Sequence, residues 1–574
     1  MHALKWGLPY ITRYKWRLIF GLLVNTLNVG LMLVNPYLAG LLVHNVIEGG
    51  QRELFVPYLA AMAGITLYRS VSRYLFVLLF ENTSQKIIYN LRQDVYNKLH
   101  IQSFSWFDKN RVGDIMSRMT GDLEAIRHFV AFVSYMVIEH VTLYIAAVAV
   151  MCFISVPLTL AMLLTTPVLI FAAVKQSREV RPAFKNVREQ FANLNSLCGE
   201  NIGGNRVVKA FTKEAYEIER FSAVNGAFFD ANMQTARVRV KYFPVMETCA
   251  ALLPWLLILA GGLLTIYGSM ETWELIAFGG YLWMIDAPTR IFTWAVNDTQ
   301  NAVASLDKVY DMMRRSVLIE SGGCTATEAA TETAVEFKDV SFSYAPYETN
   351  EIVLKNISFS VKKGQTVGIV GATGSGKTTL VNLIARFYDT CKGEVLVNGV
   401  NVRDYNLQEL RREICYAMQD VFLFSDTVEG NIAFGVPDAS MEEIYKAAAI
   451  ADAAEFIEAM PEKYDTVVGE RGVGLSGGQK QRISLARAIA ANPQILVLDD
   501  VTSAVDTETE HRIQAALAEA NENRTTFIVA HRLASVKEAD LIIVLARGEI
   551  VEMGTDRELM GMGGYYAELC REQG

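Results

Sequence analysis

Beyond about residue 300 the sequence contains no uncharged apolar stretch long enough to cross a bilayer, although the 574-residue chain is 51% hydrophobic with a mean hydropathy of +0.21. That excess therefore sits in the first 300 residues, where segments of about 20 apolar residues point to membrane insertion. Clustered cysteine is missing too. Cys152, Cys198, Cys249, Cys324, Cys391, Cys415 and Cys570 are scattered, with no CxxC and no paired metal spacing, so they are read as reduced and structural. A basic patch is absent and the net charge is −9, which argues against nucleic acid as a partner. No small-residue cleavage site follows the first apolar stretch, so that stretch is expected to stay as a membrane anchor.

Six apolar stretches are present, at about 18–47, 55–80, 129–154, 155–174, 242–268 and 275–297. The connections between them alternate in length. Those at 48–53, 155–157 and 268–274 are minimal, and those at 81–128 and 175–241 are long. The long ones carry most of the Lys and Arg, among them Lys86, Arg92, Arg118, Lys175 and Arg181, while the short turns carry only Arg52. The positive-inside rule places the long side in the cytoplasm. ENTSQKIIYNLRQDVYNKLH (81–100) has helical periodicity and no breaker, so the spans are expected to continue well beyond the bilayer.

SGGCTATEAATETA (321–334) has the composition of a linker. The expected organisation is a transmembrane domain over 1–315, a linker over 316–334 and a soluble α/β domain over 335–574. In that last part VGIV (367–370), ICYAM (414–418), ILVLD (495–499) and TTFIVA (525–530) alternate with helical segments, which predicts a largely parallel sheet.

GATGSGKTT, Gly371 to Thr379, follows one of these strands and opens a helix, the context in which GxxxxGK[ST] marks a phosphate-binding loop. Gly371, Gly374 and Gly376 let backbone N–H groups turn onto phosphates, with Thr373, Ser375 and Thr379 in the same loop. Lys377 reaches the β and γ phosphates, and Thr378 can ligate Mg²⁺. Asp499, at the end of an apolar strand, is the carboxylate expected to hold that metal. The adjacent Asp500 is the candidate for activating water, and His531, just after another strand, could touch the γ phosphate. LSGGQKQR (475–482) offers a second phosphate grip at a helix start, through Ser476, Gly477, Gly478 and Gln479. One loop already serves one nucleotide. The second grip therefore suggests an ATP held by another chain, and so a dimer with ATP at its interface.

With these motifs in order, the chain resembles an ABC exporter half-transporter over essentially its whole length: a six-helix membrane bundle fused to a cytoplasmic α/β P-loop NTPase domain. The resemblance implies ATP and Mg²⁺ as cofactors, Tyr344 as the adenine-stacking aromatic and Gln419 as the Q-loop residue beside the metal. It also implies VGERG (468–472), a D-loop at SAVD (503–506), and coupling helices in SFSWFDKNRVGDIMSR (103–118) and RVVKAFTKEAYE (206–217). The departure is Asp500, where the family pattern has Glu. A carboxylate set back by one methylene is misplaced by about 1–1.5 Å, and a shift of that size can cost about a hundredfold in rate. The expectation is therefore a heterodimer in a cytoplasmic membrane, in which this chain's own ATP site is degenerate and its intact LSGGQ completes the site of a partner that supplies the Glu. The alternatives are a homodimeric lipid or peptide exporter in which Asp is a slow base, or an ATP-gated channel or regulatory sensor.

Arg69, Arg73, Glu139, His140, Glu247, Asp286 and Arg290 fall inside apolar spans, where ionisable residues face a bundle interior or a wet cavity. Asp286 and Arg290, four apart, read as a structural ion pair. Glu139 and Glu247 have no evident partner nearby in sequence. An acid in a cavity rich in aromatics and Met would suit an amphipathic cation, which suggests multidrug-type export of amphipathic small molecules.

Overall fold

The computed structural model describes residues 2–324, 331–344, 351–501, 505–519 and 524–573, and they fall into two compact units. One contains Met1–His100 and Val112–Arg315, the other Ile101–Arg111 and Ser316–Gly574. Part of the expected linker, Ser503 and Ala504 of the expected D-loop, and the side chains of Asp286 and Arg290 lie outside the described residues.

The first unit is all helix. Among the described residues, Lys15–Glu48, Arg52–His100, Val112–Ile154 and Glu214–Ile266 are each long and apolar enough to cross a membrane. The stretches expected at 155–174 and 275–297 are helical but interrupted. Val156–Leu163 starts with Pro157 in its first turn and breaks before Thr165–Gly203, and Thr272–Gly279 is separated from Leu282–Arg314 at Gly280 and Tyr281. The helix Phe55–His100 runs unbroken for 46 residues, about 69 Å at 1.5 Å per residue. That exceeds a ~30 Å hydrocarbon core by more than half its length, so the expected extension beyond the bilayer is present.

Packing inside this unit relies on close approach as much as on bulk. A side chain at Gly40 would meet the Trp273 carbonyl oxygen at 2.7 Å, the small-residue contact by which membrane helices come together without a hydrophobic drive between them. Leu143, Ala147, Met151, Leu158, Met162 and Phe278 are buried, and the Tyr281 hydroxyl donates to the Leu33 carbonyl at 2.7 Å. A second cluster joins Phe76, Phe80 and Tyr135, with ring centroids 4.8–5.3 Å apart.

The second unit is α/β. Its strands are Thr333–Phe342 (β1), Leu354–Lys362 (β2), Thr366–Val370 (β3), Lys392–Val397 (β4), Val400–Asn401 (β5), Ile414–Ala417 (β6), Ile495–Asp499 (β7), Thr525–Val529 (β8), Leu541–Ala546 (β9) and Glu549–Gly554 (β10). A four-stranded antiparallel sheet has the order β2-β1-β4-β5, and a six-stranded sheet has β10-β9-β3-β8-β7-β6. In the larger sheet β9, β3, β8, β7 and β6 run parallel, and only β10 is antiparallel. Strand β7 is buried at every position, as a parallel strand covered on both faces must be. The strands β3, β7, β8 and β6 thus present their C-terminal ends along one edge, where ligands bind in open α/β sheets.

Candidate functional site

The loop after β3 is shaped by its glycines. Gly371 has φ +149°, and a Cβ there would lie 2.1 Å from the Leu545 carbonyl oxygen. Gly376 has φ +103° at the start of the helix Lys377–Ile384. No residue with a side chain fits the first position, and an L side chain is strained at the second. Lys377 is buried, and its Nζ donates to the carbonyls of Gly371 and Ala372 at 2.9 and 3.1 Å. Burial lowers the pKa of its ammonium, and Asp499 and Asp500 oppose that shift. Within the loop Ser375 Oγ is buried without a hydrogen-bond partner. An orphaned hydroxyl is costly in a finished core and fits a loop built to meet a phosphate oxygen. Thr373 and Gly374 lie on the exposed side.

Asp499 closes β7, one strand beyond β8. Thr378 Oγ1 donates to Asp499 Oδ1 at 3.1 Å, so the helix after the loop and the end of β7 bring a hydroxyl and a carboxylate together. Two hard oxygen donors at that spacing suit Mg²⁺. Asp499 is 6% exposed. Burial raises its pKa above the ordinary range, and Asp500 adds to the shift, while Thr378, His531 and Lys377 pull it back. Gln419, exposed two residues after β6, reaches the same sheet edge from the strand paired with β7.

Asp500 and His531 line one cavity of about 90 Å³, walled by Leu498, Ile513 and Val529. Asp500 has φ +52°. Its N–H donates to the Val529 carbonyl at 3.1 Å, and its carbonyl accepts from Gln481 Nε2 at 3.4 Å. The structure therefore brings together Lys377, Thr378, Asp499, Asp500 and His531.

Tyr344 hydrogen-bonds with Thr379 Oγ1 at 2.9 Å and meets Tyr388 edge-on, centroids 5.1 Å apart. The second glycine pair forms a separate helix start. Ser476 Oγ accepts from the Gln479 N–H at 3.3 Å, and Gln479 Oε1 accepts from the Ser476 N–H at 2.9 Å. This reciprocal box leaves Gly477 and Gly478 in the first turn of Gly477–Ala490, at the positive end of the helix dipole.

Sequence reading missed Tyr388. Its hydroxyl donates to Asp108 Oδ2 at 2.9 Å, and beside it Phe104 stacks on Phe387 at 4.4 Å. The one signal was aromatic density in two short stretches, SFSWFD and ARFYD, 280 residues apart. The expectation that Glu139 lacks a partner is corrected: Arg73 Nη1 lies 2.8 Å from Glu139 Oε1, a pairing 66 positions apart that sequence proximity does not reveal.

Comparison with known proteins places this geometry. Residues 18–285 match the ABC transporter transmembrane region, and residues 354–503 match the ABC transporter domain. The chain is 38% identical over 566 residues to the uncharacterized ABC transporter ATP-binding protein YknU of Bacillus subtilis, covering 98% of this chain and 95% of that one. It is 33% identical over 575 residues, covering 99% of each, to YgaD of the same organism, whose name assigns it provisionally as a multidrug export ATP-binding/permease protein. Among solved structures, a bacterial Atm1-family ABC exporter with ATP bound superposes with a TM-score of 0.80 at 26% identity, covering 98% of both chains.

Proposed function

The chain belongs to the ABC transporter family, as an exporter-type membrane domain and a nucleotide-binding domain in one polypeptide, and on that premise we propose that it is one half of a heterodimeric pump for amphipathic small molecules. It is a multi-pass membrane protein with a cytoplasmic nucleotide-binding domain, and it couples ATP hydrolysis to export as part of a dimer. The provisional multidrug naming of YgaD supports the substrate class.

In this reading Lys377 and the backbone from Gly371 to Thr379 grip the phosphates, with Ser375 Oγ turned to the same ligand. Thr378 and Asp499 would hold Mg²⁺ with Gln419 alongside, and bound there the ion would neutralise charge developing on the phosphates. Tyr344 carries the adenine. Ser476, Gly477, Gly478 and Gln479 serve the ATP held by the partner chain. Asp500 and His531 share the position from which water is oriented, and the shortness of Asp500 leaves this chain's own site slow. The segment 202–211 supports a two-chain assembly: Ile202, Val207 and Phe211 are exposed along it, an apolar group suited to a protein partner.

The observation that carries the heterodimer is Asp500 beside an intact LSGGQ. The test is ATP turnover and substrate transport by the purified chain alone. The expected result is slow, uncoupled hydrolysis that becomes fast on adding a half-transporter with Glu at the corresponding position. Full coupled rates from the chain alone, abolished by Asp500→Asn, would overturn the proposal.

A further inference from the structure

The inference that follows rests on the reading of the chain as an exporter of amphipathic small molecules, and it names the charge such a molecule carries. Arg69 and Arg73 are one turn apart on the helix Phe55–His100, and Glu139 lies on the helix Ser134–Ile154. From the cytoplasmic ends expected for these spans, Arg73 is about 10 Å deep, Glu139 about 15 Å and Arg69 about 16 Å, at 1.5 Å per residue. All three therefore sit within the hydrocarbon thickness, Arg73 in its cytoplasmic half and Arg69 and Glu139 close to its midplane.

The ion pair of Arg73 with Glu139 is 2.8 Å long and lopsided, with side chains 55% and 11% exposed respectively. Arg69 carries a second positive charge, and its Nε and Glu139 Oε2 are both buried without a hydrogen-bond partner. One carboxylate faces two guanidinium groups, so these three residues sum to one positive charge. A surplus guanidinium at this depth is expensive against lipid, and it persists where it faces a protein interior or a water-filled cavity. Beneath the charges, Phe76 and Tyr135 pack against one another at 4.8 Å, one turn along each helix. The charged group thus sits on a rigid apolar base. The carboxylate that would have attracted a cation is already claimed by Arg73.

We propose that Arg69, Arg73 and Glu139 form a recognition site for the anionic group of an amphiphile, a carboxylate or a phosphate on an apolar body, entering from the cytoplasmic side. Arg69 is the residue that reads the charge, since a guanidinium fork matches a carboxylate or phosphate edge. Arg73 divides its donors between ligand and Glu139, and Glu139 holds Arg73 in place while setting the threshold against weakly charged ligands.

The test uses the full-length chain assembled with a half-transporter that has Glu at the corresponding position, in inside-out phosphatidylcholine vesicles with three matched probes: pyrenebutyrate, its methyl ester, and a pyrenebutyl trimethylammonium salt. ATP-dependent uptake of the butyrate is expected to half-saturate at a concentration about tenfold lower than that of the cation. Arg69→Gln is expected to collapse the butyrate-to-ester ratio, and Arg69→Lys, which keeps the charge but loses the fork, to restore part of it. The Lys variant and a monodisperse elution profile separate loss of recognition from misfolding. Inhibition of butyrate uptake by added phosphatidylglycerol would identify a lipid headgroup as an occupant of the same site, and its absence would assign the site to soluble amphiphiles; both follow from anion recognition. Preference for the cation, or an unchanged ratio in Arg69→Gln, overturns the inference while leaving export intact. If no probe accumulates although ATP is hydrolysed, the reading of the chain as an amphiphile exporter fails and the inference falls with it.

Discussion

Thr378 Oγ1 donates to Asp499 Oδ1 at 3.1 Å, tying the phosphate-loop helix to the end of the strand that carries both aspartates. Burial raises the Asp499 pKa, so ionising it costs folding stability. A carboxyl with a raised folded value incurs no such cost below its unfolded value, near 4, where both states are protonated. The full cost applies above the raised value. Asp499→Asn removes the charge and keeps an acceptor for Thr378. The nucleotide-free variant is expected to melt about 1–3 °C higher than the parent at pH 7.5, with the gain vanishing near pH 4. Mg²⁺-dependent ATP binding should weaken about tenfold or more. Differential scanning fluorimetry across pH, with ATP binding titrated against Mg²⁺, checks both.

The reciprocal hydrogen bonds of Ser476 and Gln479 hold the helix start expected to meet the partner's ATP. Ser476→Ala should cost about 1 kcal/mol of stability through the lost cap and lower ATP hydrolysis by the assembled dimer about tenfold. Ser476→Thr keeps the acceptor oxygen and should recover most of both. Chemical denaturation and steady-state hydrolysis of the assembled pair distinguish the two variants.

The phosphate loop, the metal carboxylate and the parallel strands were legible because each is a contiguous pattern: nine residues from Gly371 to Thr379, or an apolar run ending in acid. The long cytoplasmic helices were legible for the same reason, since nothing in 81–100 breaks a helix. The antiparallel sheet of β1, β2, β4 and β5 was not: β5 is two residues long, and the alternation of Ile357, Phe359 and Val361 with polar residues in β2, itself a strand signal, says nothing of which strands it pairs with. Side-chain partnerships between distant segments were hidden as well. Arg73 meets Glu139 through the packing of two helices, and Tyr388, in the bend after Lys377–Ile384, meets Asp108 on the helix Phe104–Lys109; neither residue type predicts its partner. The left-handed backbone of Asp500 also escaped notice, because the residue drew attention as a carboxylate and its φ depends on the turn that follows β7.

The Tyr388 hydroxyl donates to Asp108 Oδ2 at 2.9 Å, within the segment expected to carry a coupling helix. Burial and the neighbouring carboxylate both raise the Tyr388 pKa, so the phenol remains a donor at neutral pH. Tyr388→Phe and Asp108→Ala should each lower the substrate transported per ATP hydrolysed about threefold. The double variant should be no worse than either single, with a coupling energy of about 0.6 kcal/mol, the equivalent of one threefold effect. Transport and hydrolysis measured in the same vesicles check this. Additive losses would mean that the two side chains act separately.

Asp500 adopts φ +52° and is held by the Val529 carbonyl on one side and Gln481 on the other. Asp tolerates the left-handed region better than residues with longer side chains, because its short carboxylate can hydrogen-bond locally. Asp500→Glu therefore sets two effects against each other. The added methylene should carry the carboxylate about 1–1.5 Å further toward the position from which water is oriented, raising ATP turnover of the chain alone about a hundredfold. The strained backbone should cost about 0.5–1 kcal/mol of stability. Turnover and melting midpoint measured on the same preparation test both parts together. A gain in rate with a small loss of stability would show that side-chain length limits this site. An unchanged rate with a lowered midpoint would instead assign the slow chemistry to the turn itself, since the longer carboxylate would then be present but held away from the water.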